Sequence, residues 1–421
     1  MCFLTHLNIL GHVKKRYIRF IEADWNARRF LLYRFLFGLF GIILGAPLVI
    51  VLFFLQPFVP IKLGILKYER IGHLIANTEF WLRSRCYQEN KNRGIIIFFC
   101  GRPLANRQIL NMIKRKVFVI ENTLLTEWVK ILKKYYSFAP WIRLDNSGFN
   151  SWEIWNSVGP QLNFTEEEEK KGREILKYIG IPEGDSFICF HARENLYLKK
   201  HINSSLPIDW SYQDYRDSSI ENYISAVEYM ASKGIWALRM GSAVSKPVVS
   251  NNYRIIDYAN KFRSDFADVY LMSHCKFFIG DTSGIFMLAS AFNVPFVQVN
   301  LVPLIFPARA PFDLFIPKKY WHIRFKRFLT FREIFRMGAD RWTRTEQFKK
   351  AEIELVENTP EEILGVVEEM NDRLDGVWVP EDEDEHLQAQ FRRLFPLDNP
   401  AVGFPSRIGA KFLRENRELL L

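Results

Sequence analysis

The stretch FFIGDTSG, residues 277–284, decides the fold and marks the candidate site. Its apolar run, Phe277 to Ile279, predicts a buried strand, and a short polar turn leads directly into a predicted helix, Ile285 to Phe292. The first N–H groups of a helix lack partners within the helix, and its dipole adds partial positive charge there. We therefore expect the turn to bind an anion, since capping alone needs one polar residue, not three between glycines.

The chain on both sides of this stretch alternates between strands and helices. The predicted strands are Phe187 to His191, Ile235 to Met240, Arg254 to Asp257 and Phe296 to Val299. The predicted helices are Glu166 to Ile179, Ser219 to Lys233 and Asp268 to His274. Such alternation is typical of a parallel, doubly wound α/β sheet. In that architecture ligands bind beyond the carboxyl ends of the strands, where the polar residues of this sequence follow the apolar runs.

Two further strand ends carry candidate ligand residues. The strand ending at His191 continues into Arg193 and Glu194, and an arginine can hold a phosphate through two parallel hydrogen bonds. His191 would bond phosphate or ribose, or support Arg193. A surface arginine with a half-buried histidine is the plainer alternative. Another strand ends at Arg239 and Gly241, where the glycine would let a base or ribose approach the backbone. The expected substrate-binding residues at the three strand ends are His191, Arg239, Gly241, Asp281, Thr282, Ser283 and Gly284.

The N-terminal half contributes a second group of candidates. A predicted strand, Ile61 to Leu66, is followed by a turn over residues 68–74 and a helix from Ile75 to Arg83. In this turn Arg70 and Gly72 would face a ligand, and His73 is a possible general base for an acceptor hydroxyl. An ordinary turn with a solvated histidine is the alternative. Further predicted strands are Gly94 to Cys100 and Val117 to Glu121, and Trp141 to Pro160 is predicted as a linker or long functional loop.

An uncharged segment of 27 residues, Phe35 to Ile61, precedes these elements. A helix of about 20 apolar residues crosses a bilayer, so the segment predicts membrane attachment. Two forms stay open. One is a spanning helix, and the other is a re-entrant hairpin, favoured by Gly45-Ala46-Pro47 near the middle and by basic residues on both flanks. A buried helix of a soluble protein is the third alternative, and it fits the length least well.

Positive charge is concentrated before this segment. The chain carries a net charge of +10, and residues 1–34 contribute seven cations against Glu22 and Asp24, a balance of +5. The cations are Lys14, Lys15, Arg16, Arg19, Arg28, Arg29 and Arg34. Their position beside an apolar segment favours an anionic lipid surface over nucleic acid, for which no recognition motif is present. The five cysteines show no regular spacing, which indicates reduced thiols and no zinc site.

Several motifs of other chemistries are absent from the sequence. No D-x-D follows a predicted strand, where it would hold a divalent metal, and Asp382 and Asp384 fit only within the acidic run Glu381 to Glu385, which predicts a solvated linker. No P-loop and no G-x-S-x-G is present, which disfavours ATP hydrolysis and serine hydrolase chemistry. We expect no metal and no cofactor beyond the substrate.

The motifs resemble those of known glycosyltransferases. Residues 280–295 look like the D-[ST]-G…L-A-x-A…V-P segment of bacterial heptosyltransferases, and His191-Ala192-Arg193 is similar to the H-x-R signature of GDP-fucose-dependent transferases. Residues 61–421 resemble a bacterial family of uncharacterised glycosyltransferases found with surface-polysaccharide genes. The shared motifs, in order, are Arg70 to Leu74, His191 to Glu194, Arg239 to Gly241, Asp281 to Gly284, Thr359 to Ile363 and Ile408 to Leu413. The chain departs from the heptosyltransferase segment at Phe286-Met287, where a histidine is usual.

The resemblance implies two facing Rossmann-like domains of the GT-B type with a last helix that crosses back to the first. The expected parts are residues 1–60 (basic N-terminus and membrane segment), 61–160 (acceptor side), 161–380 (nucleotide-sugar side) and 381–421 (acidic linker and closing helix, Ile408 to Leu421). The expected function is metal-independent transfer of a sugar to a glycan or lipid-linked acceptor at the cytoplasmic face of a bacterial inner membrane, with Arg193, His73 and Glu194 as candidate catalytic residues. A non-catalytic nucleotide or glycan binding protein is the alternative.

Overall fold

The computed structural model describes residues 25–88, 94–136, 139–142, 151–194 and 209–421. The fold is mixed α/β with parallel sheets, as the strand and helix alternation predicts. The cations Lys14, Lys15, Arg16 and Arg19 lie outside the described residues, as does part of the predicted loop Trp141 to Pro160.

The N-terminal part holds a small parallel sheet of order β1-β2-β3. Its elements are α1 (Trp25–Leu55), β1 (Ile61–Ile65), α2 (Ile71–Tyr87), β2 (Ile95–Cys100), α3 (Arg107–Lys114), β3 (Phe118–Glu121), α4 (Thr123–Tyr135) and α5 (Trp152–Ser157). Helix α2 begins four residues before the expected start, so the predicted turn is its first turn. Helix α5 lies within the predicted loop.

The C-terminal part is built on seven parallel strands of order β13-β9-β8-β7-β4-β5-β6 and a small antiparallel sheet of order β11-β10-β12. The elements up to β8 are α6 (Glu166–Ile179), β4 (Phe187–His191), α7 (Ile224–Ser232), β5 (Trp236–Arg239), β6 (Ile255–Ile256), α8 (Tyr258–Lys261), α9 (Asp265–His274), β7 (Phe278–Gly280), α10 (Phe286–Ala291) and β8 (Phe296–Leu301). The later elements are β9 (Leu314–Pro317), β10 (Lys319–His322), β11 (Arg327–Phe328), α11 (Phe331–Arg336), α12 (Thr345–Lys350), β12 (Ile353–Val356), α13 (Pro360–Leu374), α14 (Asp384–Arg393), β13 (Arg407–Ile408) and α15 (Ala410–Glu415).

The central strands are mostly apolar and deeply buried because helices cover both faces of the sheet. Every residue of β7 and β8 is buried, and so are the first four residues of β4. Cys100 and Cys189 are buried unpaired thiols in these sheets, as expected. Burial is the main cause that raises the pKa of the Cys100 thiol to about 11, so it stays protonated at neutral pH.

Local sequence signals fix two helix starts, and the first of them, that of α6, is as predicted. The Thr165 hydroxyl accepts from the backbone N–H of Glu168, whose carboxylate accepts from the Thr165 N–H, and α6 ends at Gly180 with φ +99°. Helix α13 begins with the same reciprocal bonds between Thr359 and Glu362. Such a capping box satisfies two backbone N–H groups that the helix itself leaves without partners.

The C-terminal segment differs from the expected solvated linker and single closing helix. Asp384 is buried and pairs with Arg414 of α15 at 2.5 Å, so the acidic run packs against the C-terminal part instead of extending into solvent. The predicted helix Ile408 to Leu421 is divided among strand β13, helix α15 and a 3₁₀ helix, Arg417–Leu420. Helix α15 packs against α13 and α14 of the C-terminal part, and its core residues Phe412 and Leu413 belong to the buried cluster of that part.

One hydrophobic core runs across both parts of the chain. Leu74 and Ile75 of α2 belong to the same buried cluster as Leu288 and Ala289 of α10. The two helices pack directly against each other. The two parts of the chain are therefore joined by a shared buried cluster where α2 meets α10.

A buried polar network holds α2 in place within this core. The Arg83 side chain has no exposed surface and pairs with Glu79 at 2.9 Å. Its other nitrogens donate to the carbonyl oxygens of Trp155 at 2.7 Å and Ala291 at 2.7 Å. Because Ala291 ends α10, Arg83 ties the two parts together at the helix end where carbonyl oxygens lack partners.

Helix α1 is continuous through Pro47. The structure therefore contradicts the re-entrant hairpin as an alternative for this segment. Its stretch Gly38–Leu55 has a mean hydropathy of 2.7 with 22% of its residues buried, so it is long and apolar enough to cross a membrane by length and composition.

Replacing Arg83 with methionine should strongly destabilise the protein. The substitution leaves the Glu79 carboxylate buried without its cation, which costs on the order of 3–5 kcal/mol in free energy of unfolding. Chemical denaturation measures the loss. The control is Arg85→Met on the same helix, whose guanidinium lies over the Trp81 ring at 5.0 Å and is partly exposed. Equal stability losses in the two variants would contradict the assigned role of Arg83.

Candidate active site

The register of β4 and β7 brings two predicted motifs together. His191 lies opposite Gly280 in these neighbouring parallel strands, so Arg193 and Asp281 emerge side by side. A Cβ atom at Gly280 would lie 3.2 Å from the His191 carbonyl oxygen and 2.6 Å from the Phe278 ring. Gly280 therefore permits the close approach of the two strand ends.

The Asp281 carboxylate is the hub of this site. It has no exposed surface. Its Oδ2 accepts from the Arg193 backbone N–H at 2.6 Å and from the Ser218 hydroxyl at 2.7 Å. A buried carboxylate repels an anion, so we assign Asp281 to positioning the surrounding chain rather than to direct contact with a phosphate. This assignment differs from the direct binding expected from the sequence.

Three cations converge on this hub. Arg193 pairs with Asp217 and donates to the Gln213 carbonyl oxygen at 3.2 Å. Arg216 donates to the Thr282 carbonyl oxygen at 3.4 Å, and Lys318 donates to the Asp217 carbonyl oxygen at 2.6 Å. Four carboxylates lie near these three cations in a largely buried region: Asp217 and Asp281, together with Asp214 near Arg193 and Glu357 near Lys318.

The cations repel one another as well as losing solvent. Burial, followed by the charge of Arg216, lowers the pKa of the Arg193 guanidinium to about 10. Burial is also the main cause that lowers the pKa of Lys318; the charges of Glu357 and Asp281 oppose this shift, and the charge of Arg193 adds to it. Arg193 is still protonated at neutral pH, so an added anion would relieve the repulsion.

Sequence reasoning missed Arg216 and Lys318. Arg216 ends a 3₁₀ helix, Ser211–Arg216, which has no apolar strand before it to mark it. Lys318 directly follows β9, at the same carboxyl edge of the large sheet as Arg193. Recognising the run Leu314–Pro317 as a strand would have identified Lys318.

The turn after β7 works differently from the expected helix-dipole site. Helix α10 has six residues and begins after Ile285, which makes no side-chain cap. Thr282 and Ser283 are therefore not caps. The Thr282 hydroxyl accepts from the Gln298 amide at 3.4 Å, and the Ser283 hydroxyl is buried without a partner among the described residues. Since so short a helix has a small dipole, the positive charge here comes from the three cations.

His191 is held in one protonation form. Its Nδ1 donates to the Met240 carbonyl oxygen at 2.9 Å, because a carbonyl oxygen only accepts. Burial is the main cause that lowers the pKa of His191, so the ring is neutral at pH 7 and Nε2 carries a lone pair. Gly241 adjoins this ring with φ +147°, a conformation that favours glycine.

Arg239 and Glu194 serve the scaffold. Arg239 is completely buried, pairs with Glu194 at 3.4 Å and Asp257 at 3.5 Å, and donates to the Lys246 carbonyl oxygen. The second Glu194 oxygen accepts from the Ser245 N–H at 2.8 Å. Both Glu194 oxygens are thus occupied, and Arg239 is out of a ligand's reach. These contacts favour a scaffold role over the substrate-binding role expected of Arg239 and the catalytic role expected of Glu194.

Helix α2 brings the N-terminal candidates to the same turn. A Cβ atom at Gly72 would lie 2.6 Å from the Gly284 carbonyl oxygen, so Gly72 serves contact between the two parts rather than approach of a ligand. Arg70 precedes the helix, and its guanidinium lies 5.2 Å from the centre of the Trp210 ring. Trp210 comes directly before the 3₁₀ helix that carries Arg216.

His73 is the titratable group of α2 nearest the cations. Its Nδ1 donates to the Asn77 side-chain oxygen at 3.2 Å, which leaves the Nε2 lone pair available. Burial is the main cause that lowers the pKa of His73, and the positive charges of Arg70, Lys67 and Arg216 lower it further. The ring is therefore neutral at pH 7 and able to accept a proton.

Three solved structures show what the chain is similar to. The first is the glycosyl transferase family 9 protein from Veillonella parvula, with a TM-score of 0.34 and 16% identity over 56% of this chain and 79% of that chain. The second is ADP-heptose lps heptosyltransferase II of E. coli, with a TM-score of 0.35 and 12% identity over 56% of this chain and 83% of that chain. The third is E. coli heptosyltransferase WaaC with ADP, with a TM-score of 0.32 and 11% identity over 61% of this chain and 91% of that chain. Heptosyltransferases, which residues 280–295 resemble in sequence, are thus among these structures. At TM-scores this low, the likeness says nothing about the substrate or the reaction of this chain. No protein-family model and no curated protein matches.

Removing the hydroxyl that Ser218 gives to Asp281 should destabilise the fold. In Ser218→Ala the buried carboxylate loses one of its two donors, which costs about 1–3 kcal/mol in free energy of unfolding. Urea denaturation measures this loss. The neighbouring Ser219→Ala is the control, because the Ser219 hydroxyl bonds Glu221 in an exposed position. If Ser218→Ala were as stable as Ser219→Ala, Asp281 would not be the hub.

Proposed function

We propose that the protein is a metal-independent glycosyltransferase that uses a nucleotide diphosphate sugar. The observation that carries the proposal is the convergence of Arg193, Arg216 and Lys318 on the turn at the carboxyl edge of the parallel sheet. A diphosphate has the charge that this cluster would stabilise, and its oxygens accept hydrogen bonds from guanidinium and ammonium groups. The Ser283 hydroxyl, which has no partner in the described part of the chain, would be a further donor on the same turn.

The chemistry follows from where charge develops during the reaction. When the bond between the anomeric carbon and the diphosphate oxygen breaks, negative charge grows on the leaving diphosphate. Fixed cations in a buried site stabilise that charge more strongly than water does, because they need no reorientation. In this proposal Arg193 and Arg216 contact the diphosphate, and Lys318 holds the Asp217 backbone that carries the Arg193 partner.

The N-terminal part would supply the acceptor side. The acceptor hydroxyl oxygen forms the new bond to the anomeric carbon, and its proton passes to Nε2 of His73, which carries a lone pair. Arg70 and Trp210 lie at the boundary between the two parts, beside this histidine. His191, with the lone pair of its Nε2, and Gly241 would lie towards the ribose and base.

The setting of the reaction belongs to the same proposal. The acceptor is a glycan or a lipid-linked glycan, the process is surface polysaccharide biosynthesis, and the site faces the cytoplasm at a bacterial inner membrane. The apolar helix α1 supports attachment to a membrane. A protein that binds the nucleotide without catalysis is the alternative, and product formation distinguishes the two.

Removing the Arg216 charge should impair use of the donor. The donor is first found by a thermal-shift screen against GDP-, UDP-, ADP- and CMP-sugars, since ligand binding raises apparent stability. With that donor, Arg216→Ala should lower kcat/KM by about 10–100-fold, which corresponds to the loss of one or two charge-assisted hydrogen bonds to the diphosphate. Product is measured by mass spectrometry with EDTA present.

Arg332→Ala is the matched control, because Arg332 is an exposed arginine on α11. It should retain the kcat/KM of the unchanged protein. Equal activity of Arg216→Ala and Arg332→Ala would overturn the assigned diphosphate site. Tight nucleotide binding without any product from a panel of glycan acceptors would instead support the non-catalytic alternative.

The pH dependence of kcat/KM should reveal His73. A neutral His73 is the active form, and its pKa lies below the ordinary value of 6.5. As pH falls through that lowered pKa the base becomes protonated, so the acid limb of kcat/KM should lie below pH 6.5. His73→Gln should remove this limb and lower kcat by about 10²–10⁴-fold. An unchanged pH profile in His73→Gln would assign the base elsewhere.

A further inference from the structure

Helix α1 has two different apolar faces. One face packs on the domain, with Val49 and Leu52 almost completely buried. The opposite face exposes half or more of each large side chain. These are Leu36, Phe40, Ile43, Ile50 and Phe54. A helix that is apolar all round and half covered by protein needs an apolar environment for its other half.

The covered face of α1 lies along α4. The Trp128 indole N–H of α4 donates to the Gly41 carbonyl oxygen at 3.0 Å. At Gly45 the contact is so close that a Cβ atom would lie 2.0 Å from Leu132. Further along, Leu52 shares a buried cluster with Val129. The contacts therefore extend from Gly41 to Leu52, through the middle of the stretch long enough to cross a bilayer.

This packing conflicts with a helix that crosses the membrane. Gly38–Leu55 rises about 27 Å, close to the thickness of the hydrocarbon layer. If α1 stood upright in that layer, α4 would be inside it too, with its ion pair between Lys130 and Glu127 at 2.7 Å. The edge of the small sheet, where Leu63 and Phe99 share a buried cluster with Leu52, would then also lie inside the hydrocarbon layer. Charged side chains and strand edges are strongly disfavoured at that depth.

The surface around the exposed face has the character of a membrane contact. Phe58 is 83% exposed just after α1, and Leu124 is 64% exposed at the start of α4. Exposed cations are present on the same two helices, with Arg29 near the start of α1 and Lys134 near the end of α4. Apolar side chains together with cations match the interface between acyl chains and anionic lipid headgroups.

We propose that α1 lies in the plane of the membrane, sunk into one leaflet, and fixes the domain to the lipid surface together with the start of α4. Both ends of α1 are then on the same side of the bilayer. This inference does not rest on the glycosyltransferase proposal. It replaces both the spanning helix and the hairpin, because α1 is one continuous helix whose middle is packed on a charged, folded domain.

The topology test uses the full chain in the membrane of bacterial cells. In a Cys2→Ser background, Arg29→Cys places a thiol at the start of α1, and the exposed Cys86 reports on the domain. A membrane-impermeant maleimide is applied to intact and to lysed spheroplasts. We expect neither thiol to react in intact spheroplasts and both to react after lysis. Reaction at residue 29 in intact spheroplasts, with Cys86 protected, would show a spanning helix and overturn the proposal.

Two glycines of α1 test whether the domain stays on the helix within the membrane. Gly45→Leu collides with Leu132, whereas a Cβ atom at Gly38 would meet nothing within 4 Å among the described residues, so Gly38→Leu adds the same apolar surface without a collision. In vesicles of phosphatidylglycerol and phosphatidylethanolamine, Gly45→Leu should lower Tm by several degrees, on the order of 4–8 °C, relative to Gly38→Leu. Equal Tm values would show that α1 leaves the domain in lipid, which contradicts the proposed arrangement.

Discussion

The candidate site depends on one buried carboxylate. Asp281 follows β7 and accepts hydrogen bonds from the Arg193 backbone, which follows β4, and from Ser218, which follows the 3₁₀ helix of Arg216. Three separate segments are thereby held at one point. Because charge-assisted hydrogen bonds in a buried site are strong and directional, this single group sets where the cations lie.

A second constraint decides what faces the cations. Helix α2 meets the turn before α10 through the backbone contact of Gly72 with Gly284, and Arg83 of α2 donates to the Ala291 carbonyl oxygen at the end of α10. The position of α2 on the C-terminal part is therefore fixed at two points. That places His73 within electrostatic range of Arg216. The shared core therefore holds the acceptor side and the donor side of the proposed reaction against each other.

The sequence predicts the strands and helices with strong local signals, and it predicts less where tertiary contacts decide. The capped helices and the buried strands around Asp281 are predicted because caps and apolar runs are local. The start of α2 is missed because Gly72, two residues after Arg70, is typical of a turn, whereas in the structure it lies in the first turn of the helix and packs against Gly284. The positions of Arg239 and Glu194 after predicted strands indicate site residues, and only the structure reveals the ion pair between them that favours a structural role. Lys318 is missed with strand β9.

The most direct test of the account is the affinity of the unchanged protein for nucleoside diphosphates and the matching monophosphates, measured by calorimetry with EDTA present. If Arg193, Arg216 and Ser283 hold a diphosphate, the diphosphate of the preferred nucleoside should bind at least about tenfold more tightly than its monophosphate, a difference of about 1.4 kcal/mol. Equal affinities, or binding of the diphosphate only when a divalent metal is added, would contradict a diphosphate site built from these side chains.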